Sequence, residues 1–221
     1  FKYDTEIFKE VSFSFDVLAN RLREFSFLNK GLRIHCQDER NGKSHDFFYE
    51  GGIVSFVEHL SRNKKIIHPK PIYIFKERDD FVIDLSMQYN DSYVEELFTF
   101  VNNVNTRDGG THLSGYRSAL TRTINSYAVQ NGLLKSTDVS LSGEDVREGL
   151  IAVLSIKIPE PQFEGQTKGK LGNSEVKGLV EQIVNEKLSE LFAENPSVAK
   201  AIVSKSISAA LAREAAKKAK D

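Results

Sequence analysis

Residues 147–176 read REGLIAVLSIKIPEPQFEGQTKGKLGNSEV, and this stretch does most to decide the fold. Its first half contains a mostly apolar run, residues 150–158, which is long enough for one buried strand. Pro159 and Pro161 end that strand, because proline cannot continue a ladder of backbone hydrogen bonds. A glycine-containing loop follows, and Asn173 or Ser174 is then expected to cap a helix.

Three more strands are predicted upstream of this stretch, at residues 71–76, 81–88 and 96–104. Their connections are short, so we expect them to form an antiparallel meander. A helix over about residues 111–130 follows, because its apolar residues fall on one face: Leu113, Tyr116, Leu120, Ile124 and Tyr127. These elements predict a mostly antiparallel sheet backed by helices.

The two ends of the chain add further helices. Near the start, a helix over residues 15–29 precedes a hairpin with Asn41-Gly42 as its turn, and a short helix follows Gly51-Gly52. Near the end, apolar residues at three- and four-residue spacing predict a helix from about residue 174. Asn195-Pro196 separates it from a last, Ala-rich helix. The fold class is therefore α+β with a long C-terminal helix.

Composition excludes several classes of protein. The 221 residues carry 30 Lys and Arg against 31 Asp and Glu, so any nucleic-acid contact must depend on the local placement of cations. Cys36 is the only cysteine, which excludes an internal disulfide framework and fits a reducing cytoplasm. No run approaches the ~20 apolar residues of a membrane span, so no membrane partner is expected. The chain begins Phe1-Lys2-Tyr3 without Met, and we expect a piece of a longer protein.

Two glycine-containing segments could carry chemistry. Residues 108–111, DGGT, lie between a strand and a helix, where free N–H groups could hold an anion. On these residues alone, an ordinary turn with Thr111 as the helix N-cap is preferred. Residues 164–172, EGQTKGKLG, are here called the lysine loop, and they are the best candidate to bring an ammonium group to a phosphate. A solvated surface loop would have the same composition.

Basic side chains are concentrated on two predicted helices. The first carries Arg117 and Arg122, and the last carries Lys200, Lys205, Arg213, Lys217, Lys218 and Lys220. Such residues could contact DNA phosphates, but an ordinary charged helix face is the better interpretation of them taken alone. The five histidines form no pair with metal-ligand spacing, and His112 is expected to be a structural hydrogen-bonding residue. We therefore expect no metal site and no complete active site in this chain.

Three blocks of the sequence closely resemble the B subunits of bacterial type IIA topoisomerases, the gyrase B and topoisomerase IV B family. One is residues 102–125, NNVNTRDGGTHLSGYRSALTRTIN, and another is residues 147–176, quoted above. The third is residues 18–31, LANRLREFSFLNKG, followed by YEGG at residues 49–52. The blocks extend over nearly the whole chain in the family's order and spacing.

The resemblance implies a layout and a set of roles. Residues 1–52 are similar to the closing elements of a GHKL-type ATPase domain, and residues 53–221 to a transducer domain with a ribosomal-S5-like fold. In this family the lysine of the QTK loop contacts the γ-phosphate of ATP, which gives Lys168 the catalytic role, with Gln166 beside it. The resemblance also implies that Arg117 and, less strongly, Arg122 face DNA.

The resemblance further implies an ATP-driven enzyme that couples hydrolysis to DNA strand passage or negative supercoiling. ATP and Mg²⁺ would be bound mainly by family segments that this chain lacks, so the chain alone should be inactive. The implied partners are DNA, the gyrase A subunit and a second gyrase B chain, in the cytoplasm. Residues 106–125 favour gyrase over topoisomerase IV slightly.

Two alternative functions stay open at this point. One is the second domain of another GHKL ATPase, of the mismatch-repair or chaperone class. The other is a non-enzymatic, S5-like module that binds nucleic acid.

Overall fold

The computed structural model of the chain describes residues 4–10, 12–134 and 139–219. Within it the chain divides into two compact units, with the boundary between Ser55 and Phe56. Lys220, one of the basic residues considered above, lies outside the described residues, as does the opening Phe1-Lys2-Tyr3.

The elements of the described residues confirm the predicted α+β class. The helices are α1 Phe15–Leu28, α2 Ile53–Ser61, α3 Thr111–Gln130, α4 Gly143–Arg147, α5 Ser174–Glu194 and α6 Pro196–Lys218. The strands are β1 Ile34–Asp38, β2 Lys43–Phe47, β3 Ile72–Arg78, β4 Phe81–Tyr89, β5 Glu96–Val101, β6 Val104–Asn105, β7 Gly109–Gly110, β8 Leu150–Lys157, β9 Phe163–Glu164 and β10 Lys170–Leu171. None of these described helices combines the length and the apolar character that crossing a bilayer would require.

The first unit is a helix followed by a hairpin. Ser14 caps α1, because its side chain accepts a hydrogen bond from the Val17 amide. β1 and β2 are antiparallel, and the predicted Asn41-Gly42 turn joins them, with Gly42 at a φ of 74°. Phe27 of α1 stacks on Tyr49 just after the hairpin, with 3.8 Å between the ring centroids.

The second unit is built on a five-stranded sheet in the order β3-β4-β8-β5-β6. β8 lies in the middle, antiparallel to β4 and parallel to β5. All of its residues except Lys157 are buried. This burial explains why the strand is mostly apolar, since a strand covered on both faces needs no polar side.

The predicted meander is wrong in its third strand. β3 and β4 form the expected antiparallel pair, but β8 is inserted between β4 and β5, and β5 runs parallel to it. A parallel pair needs a long crossover connection, and the chain between β5 and β8 supplies one that includes α3. The apolar β8 gains most from the central position, because both of its edges are then paired and both of its faces are covered.

α3 and α5 pack against each other and share one core with the sheet. Their fully buried apolar side chains in that core include Tyr116, Leu120, Ile124, Val180, Val184 and Leu188. The helices approach closely at Gly115, where a side chain would collide with the backbone carbonyl of Lys177. Phe56 of α2 lies beside β5, with its ring centroid 5.7 Å from that of Phe98.

A second, three-stranded sheet connects the two glycine-containing segments. Its order is β7-β10-β9, with β10 antiparallel to β9 and parallel to β7. The lysine loop is therefore a hairpin between β9 and β10. It is paired with β7, which directly precedes α3.

We predict that Leu154→Ala destabilises the protein by about 2–5 kcal/mol, because Leu154 is fully buried in β8 and its truncation leaves a cavity in the core. Leu211→Ala is the matched control, since Leu211 on α6 is 45% exposed and the same change there should cost less than about 0.5 kcal/mol. Urea unfolding followed by circular dichroism measures both. Similar losses for the two variants would contradict a core centred on β8.

Candidate functional site

The lysine loop forms the tip of the β9–β10 hairpin. Phe163 pairs with Leu171, and Glu164 with Lys170, at its base. At the tip, Lys168 has a φ of 54°, and its amide donates a hydrogen bond to the Gly165 carbonyl at 3.3 Å. This left-handed conformation is uncommon for a residue with a side chain, so we infer that the hydrogen bond within the turn holds the backbone of Lys168 in it.

The two lysines of the loop have different partners. Lys170 Nζ lies 3.2 Å from Glu164 Oε2 across the hairpin. Lys168 makes no ion pair within the part of the chain that the structure describes, and its Nζ lies 5.9 Å from the Phe163 ring centroid. Gln166 is exposed at the same tip. The loop therefore offers one cation, Lys168, that has no carboxylate partner there.

α3 does not begin as the sequence suggested. Gly110 is the N-cap, at a φ of 135°, and no side-chain hydrogen bond caps the helix. Thr111 is already the first helical residue, so its prediction as the N-cap is wrong. The physical reason is the pairing of Gly110 with Leu171, which holds Gly110 in the ladder and lets the helix start only after it.

A buried hydrogen-bond network lies beside the start of α3. His112 Nε2 is 3.0 Å from Thr106 Oγ1, which is 2.7 Å from Thr99 Oγ1. Burial lowers the pKa of His112 to about 4, so its ring is neutral near pH 7. The predicted structural role of His112 as a hydrogen-bonding residue is confirmed.

Arg117 on α3 shares a carboxylate with a second arginine. Its Nη2 donates to both oxygens of Glu95 at 3.0 Å, and Nε of Arg147 lies 3.3 Å from the same carboxylate. Because one carboxylate faces two guanidinium groups, this trio keeps a net positive charge. The Arg117 side chain is 39% exposed, which leaves it accessible from solvent.

Arg122 lies in a different environment from Arg117. Five residues along a helix correspond to a rotation of about 140°, so the two arginines do not share one face of α3. Arg122 Nη2 lies 2.7 Å from Glu181 Oε1 on α5, in a surface depression that also contains Glu186. The charged groups around Arg122 are therefore acidic in sum.

Two of the basic residues on α6 attach that helix to the region of α4. Lys205 pairs with Glu148 at 3.0 Å, and Arg213 with Asp145 at 3.1 Å. Burial acts to raise the pKa of Asp145, but hydrogen bonds from Arg213 and Ser142 outweigh it, and the pKa is lowered. These two cations therefore stabilise the packing of α6 against the region of α4.

Sequence reasoning missed the acidic partners of these cations. Glu95 is 22 residues from Arg117, and Asp145 is 68 residues from Arg213, so no local pattern connects them. Only Asp145 had a local signal, because it closes a capping box with Ser142. Across the described ranges, no group of three His, Cys, Asp or Glu side chains is arranged to hold a metal ion.

Comparison with known proteins identifies relatives over the whole chain. The family model described as DNA gyrase B matches residues 52–221. The DNA gyrase B protein of Clostridium acetobutylicum is 51% identical over 222 residues, which cover 100% of this chain and 35% of that protein. The gyrase B protein of Myxococcus xanthus is 53% identical and covers 100% of this chain, which spans 27% of it. The chain thus spans between about a quarter and a third of the length of these curated relatives.

Solved structures of related proteins have the same fold. The 43K ATPase domain of Thermus thermophilus gyrase B, crystallised with an aminocoumarin, matches with a TM-score of 0.86 and 40% identity, over 98% of this chain and 58% of that one. The topoisomerase IV ATP-binding domain of Francisella tularensis, in complex with a small-molecule inhibitor, matches with a TM-score of 0.79 and 26% identity, over 95% and 57%.

The lowered pKa of His112 predicts a dependence of stability on pH. The unfolded chain binds a proton at His112 below about pH 6.5, whereas the folded chain does so only near pH 4, so folding loses stability as the pH falls between these values. Between pH 7 and 5 the loss should be about 2 kcal/mol. We expect His112→Asn to be less stable at pH 7 but to show a shallower decline, in urea unfolding at both pH values. Equal declines would contradict this assignment.

Proposed function

Because the chain belongs to the DNA gyrase B family, we propose that it serves as the transducer portion of the gyrase B chain of an ATP-dependent type II DNA topoisomerase. In this proposal it senses the γ-phosphate of ATP through the lysine loop and couples hydrolysis to capture and passage of a DNA segment. The observation that carries the proposal is the cation of Lys168, without a carboxylate partner in the described chain, at the tip of a hairpin that is paired with the start of α3.

The relatives favour a gyrase over a topoisomerase IV. The matching family model is described as DNA gyrase B, and the curated relatives described above are gyrase B proteins. Negative supercoiling is therefore the proposed activity of the whole enzyme. Topoisomerase IV is the second candidate, since its ATP-binding domain has the same fold.

The proposed layout assigns residues 1–52 to the end of a GHKL-type ATPase domain and residues 53–221 to the transducer. Most groups that bind ATP and Mg²⁺ would then belong to segments outside this chain, and Lys168 and Gln166 would complete their site. The proposed partners are DNA, the gyrase A subunit and a second gyrase B chain. The cell compartment that we propose is the cytoplasm, which agrees with the single cysteine.

Lys168 is suited to distinguish ATP from ADP. An ammonium group that contacts only the terminal phosphate binds ATP preferentially, and hydrolysis removes that contact. The lysine is exposed, and its side chain lies over an aromatic ring rather than in an ion pair. A phosphate can therefore attract it without first breaking a salt bridge in the described chain.

Arg117 is the better of the two arginines for DNA. It shares a single carboxylate with Arg147, so positive charge remains for a phosphate. Arg122 has its own carboxylate partner, Glu181, and a second acid close by. The shared carboxylate, rather than the wider charge of the region, thus supports Arg117 as the residue that faces the passing DNA segment.

We predict that Lys168→Ala in the full-length protein lowers ATP turnover by on the order of 10- to 100-fold, because the transition state loses one preorganised cation. The matched control is Lys170→Ala, which removes the neighbouring lysine that pairs with Glu164. It should leave turnover within a factor of about two, as expected for an exposed ion pair. Steady-state ATPase assays with DNA, and thermal melting as the folding control, test both variants. Normal turnover of Lys168→Ala would remove its phosphate-sensing role.

We predict that Arg117→Gln lowers DNA supercoiling more than it lowers basal ATP hydrolysis, since it removes a cation that faces DNA phosphates and leaves the lysine loop unchanged. Arg122→Gln should have the smaller effect, because Arg122 already has a carboxylate partner of its own, Glu181. Supercoils introduced per ATP hydrolysed, measured at two salt concentrations, give the comparison. Equal effects of the two substitutions would contradict the ranking.

A further inference from the structure

We propose that Gly110 is a positioning residue that connects the lysine loop rigidly to α3, so that a displacement of Lys168 is passed directly to the helix that carries Arg117. This inference rests on the proposed function, and it assigns a physical path to it. The path has three parts: a backbone contact at Gly110, a second contact at Asp108, and the continuity of the chain into α3.

The first part is a contact that only glycine permits. A Cβ atom on Gly110 would lie 2.5 Å from both the backbone N and the backbone O of Leu171, closer than real Cβ atoms approach other atoms. The obstacle is backbone, which cannot rotate away as a flexible side chain would. Gly110 also has a φ of 135°, which side chains disfavour. The two strands therefore lie closer together than any other residue at this position would allow.

The second part is a hydrogen bond between the same two segments, at the residue next to Lys168. The Asp108 amide donates a hydrogen bond to the Gly169 carbonyl at 2.9 Å. Gly169 is buried, and the Asp108 carboxylate occupies the space that a side chain at Gly169 would need. Because Gly169 directly follows Lys168, the backbone of the phosphate-sensing residue is itself attached to the β7 segment.

The third part is chain continuity. Gly110 is the N-cap of α3, and Thr111 is its first residue, so β7 and α3 have no linker between them. Sliding β10 along β7 would break both their two-residue ladder and the hydrogen bond from Asp108 to Gly169, so we expect a shift of β10 to carry β7 with it. Arg117 is seven residues, about two helical turns, from the point of attachment. The path from Lys168 to α3 therefore needs no flexible segment.

The first test is Gly110→Ala in the full-length protein assembled with the gyrase A subunit. We expect ATP hydrolysis to continue while the number of supercoils introduced per ATP hydrolysed falls several-fold, because the added Cβ separates β7 from β10. Gly42→Ala is the strain control, since Gly42 also has a positive φ, 74°, but nothing within 4 Å of its Cβ position. A purely structural role of Gly110 would lower the melting temperature and reduce both activities in parallel. An unchanged ratio in a folded Gly110→Ala enzyme would overturn the proposal.

The second test holds even if Gly110→Ala does not fold. In Asp108→Cys/Gly169→Cys the two Cβ atoms would lie 3.8 Å apart, which is the usual spacing of a disulfide. If β7 and β10 move as one body, the oxidised enzyme should supercoil DNA as well as the reduced enzyme does. Loss of supercoiling on oxidation, restored by reductant and absent from each single-cysteine variant, would show that the strands must separate, and the proposal would be wrong.

The wild-type enzyme in the same assays distinguishes a failure of the path through Gly110 from a failure of the proposed function. ATP-dependent supercoiling by the wild type, together with wild-type behaviour of the Gly110→Ala variant, would overturn only the path through Gly110. Absence of ATP-dependent supercoiling by the wild type would overturn the proposed function itself.

Discussion

The position of the lysine loop relative to α3 depends on the close contact between the backbone of Gly110 and that of Leu171. It decides where α3 begins, because Gly110 is held in the β7–β10 ladder and the helix starts at the next residue. It also decides where the lysine loop lies, because β10 is one arm of that hairpin. Two segments that are far apart in sequence thereby become one structural element, and neither could be moved without the other.

The central position of β8 makes this contact possible. β8 pairs in parallel with β5, which requires a crossover, and α3 lies within that crossover and packs on α5. The chain leaves β8 at Ile158, forms β9 and β10, and enters α5 at Ser174. The short sheet is thus attached to α3 through β7 and precedes α5 directly. The large sheet and the two long helices give the lysine loop a rigid base.

Most single elements could be predicted from the sequence, because their signals are local. The apolar run of β8, the spacing in α3 and α5 and the Asn195-Pro196 break each depend on neighbouring residues. The pairing of β5 with β8 could not be predicted, since strand order depends on which partners bury a strand best. The contact of Gly110 with Leu171 could not be predicted for a similar reason. Glycines in a loop indicate that another segment approaches closely, but they do not identify that segment. The acidic partner of Arg117 is likewise distant in sequence.

The structure distinguishes cations that can change partner from cations that cannot. Arg213 contacts Asp145, whose side chain is only 3% exposed, and separating them would leave a buried carboxylate without a cation to balance its charge. Glu95 is 24% exposed and is shared by two arginines, so if Arg117 turned to a DNA phosphate the carboxylate would keep Arg147 as its partner. The exchange therefore leaves the carboxylate of Glu95 paired with a cation. Arg117 lies on α3, the helix that begins at the lysine loop's attachment point, which makes it the cation best suited to respond to that loop.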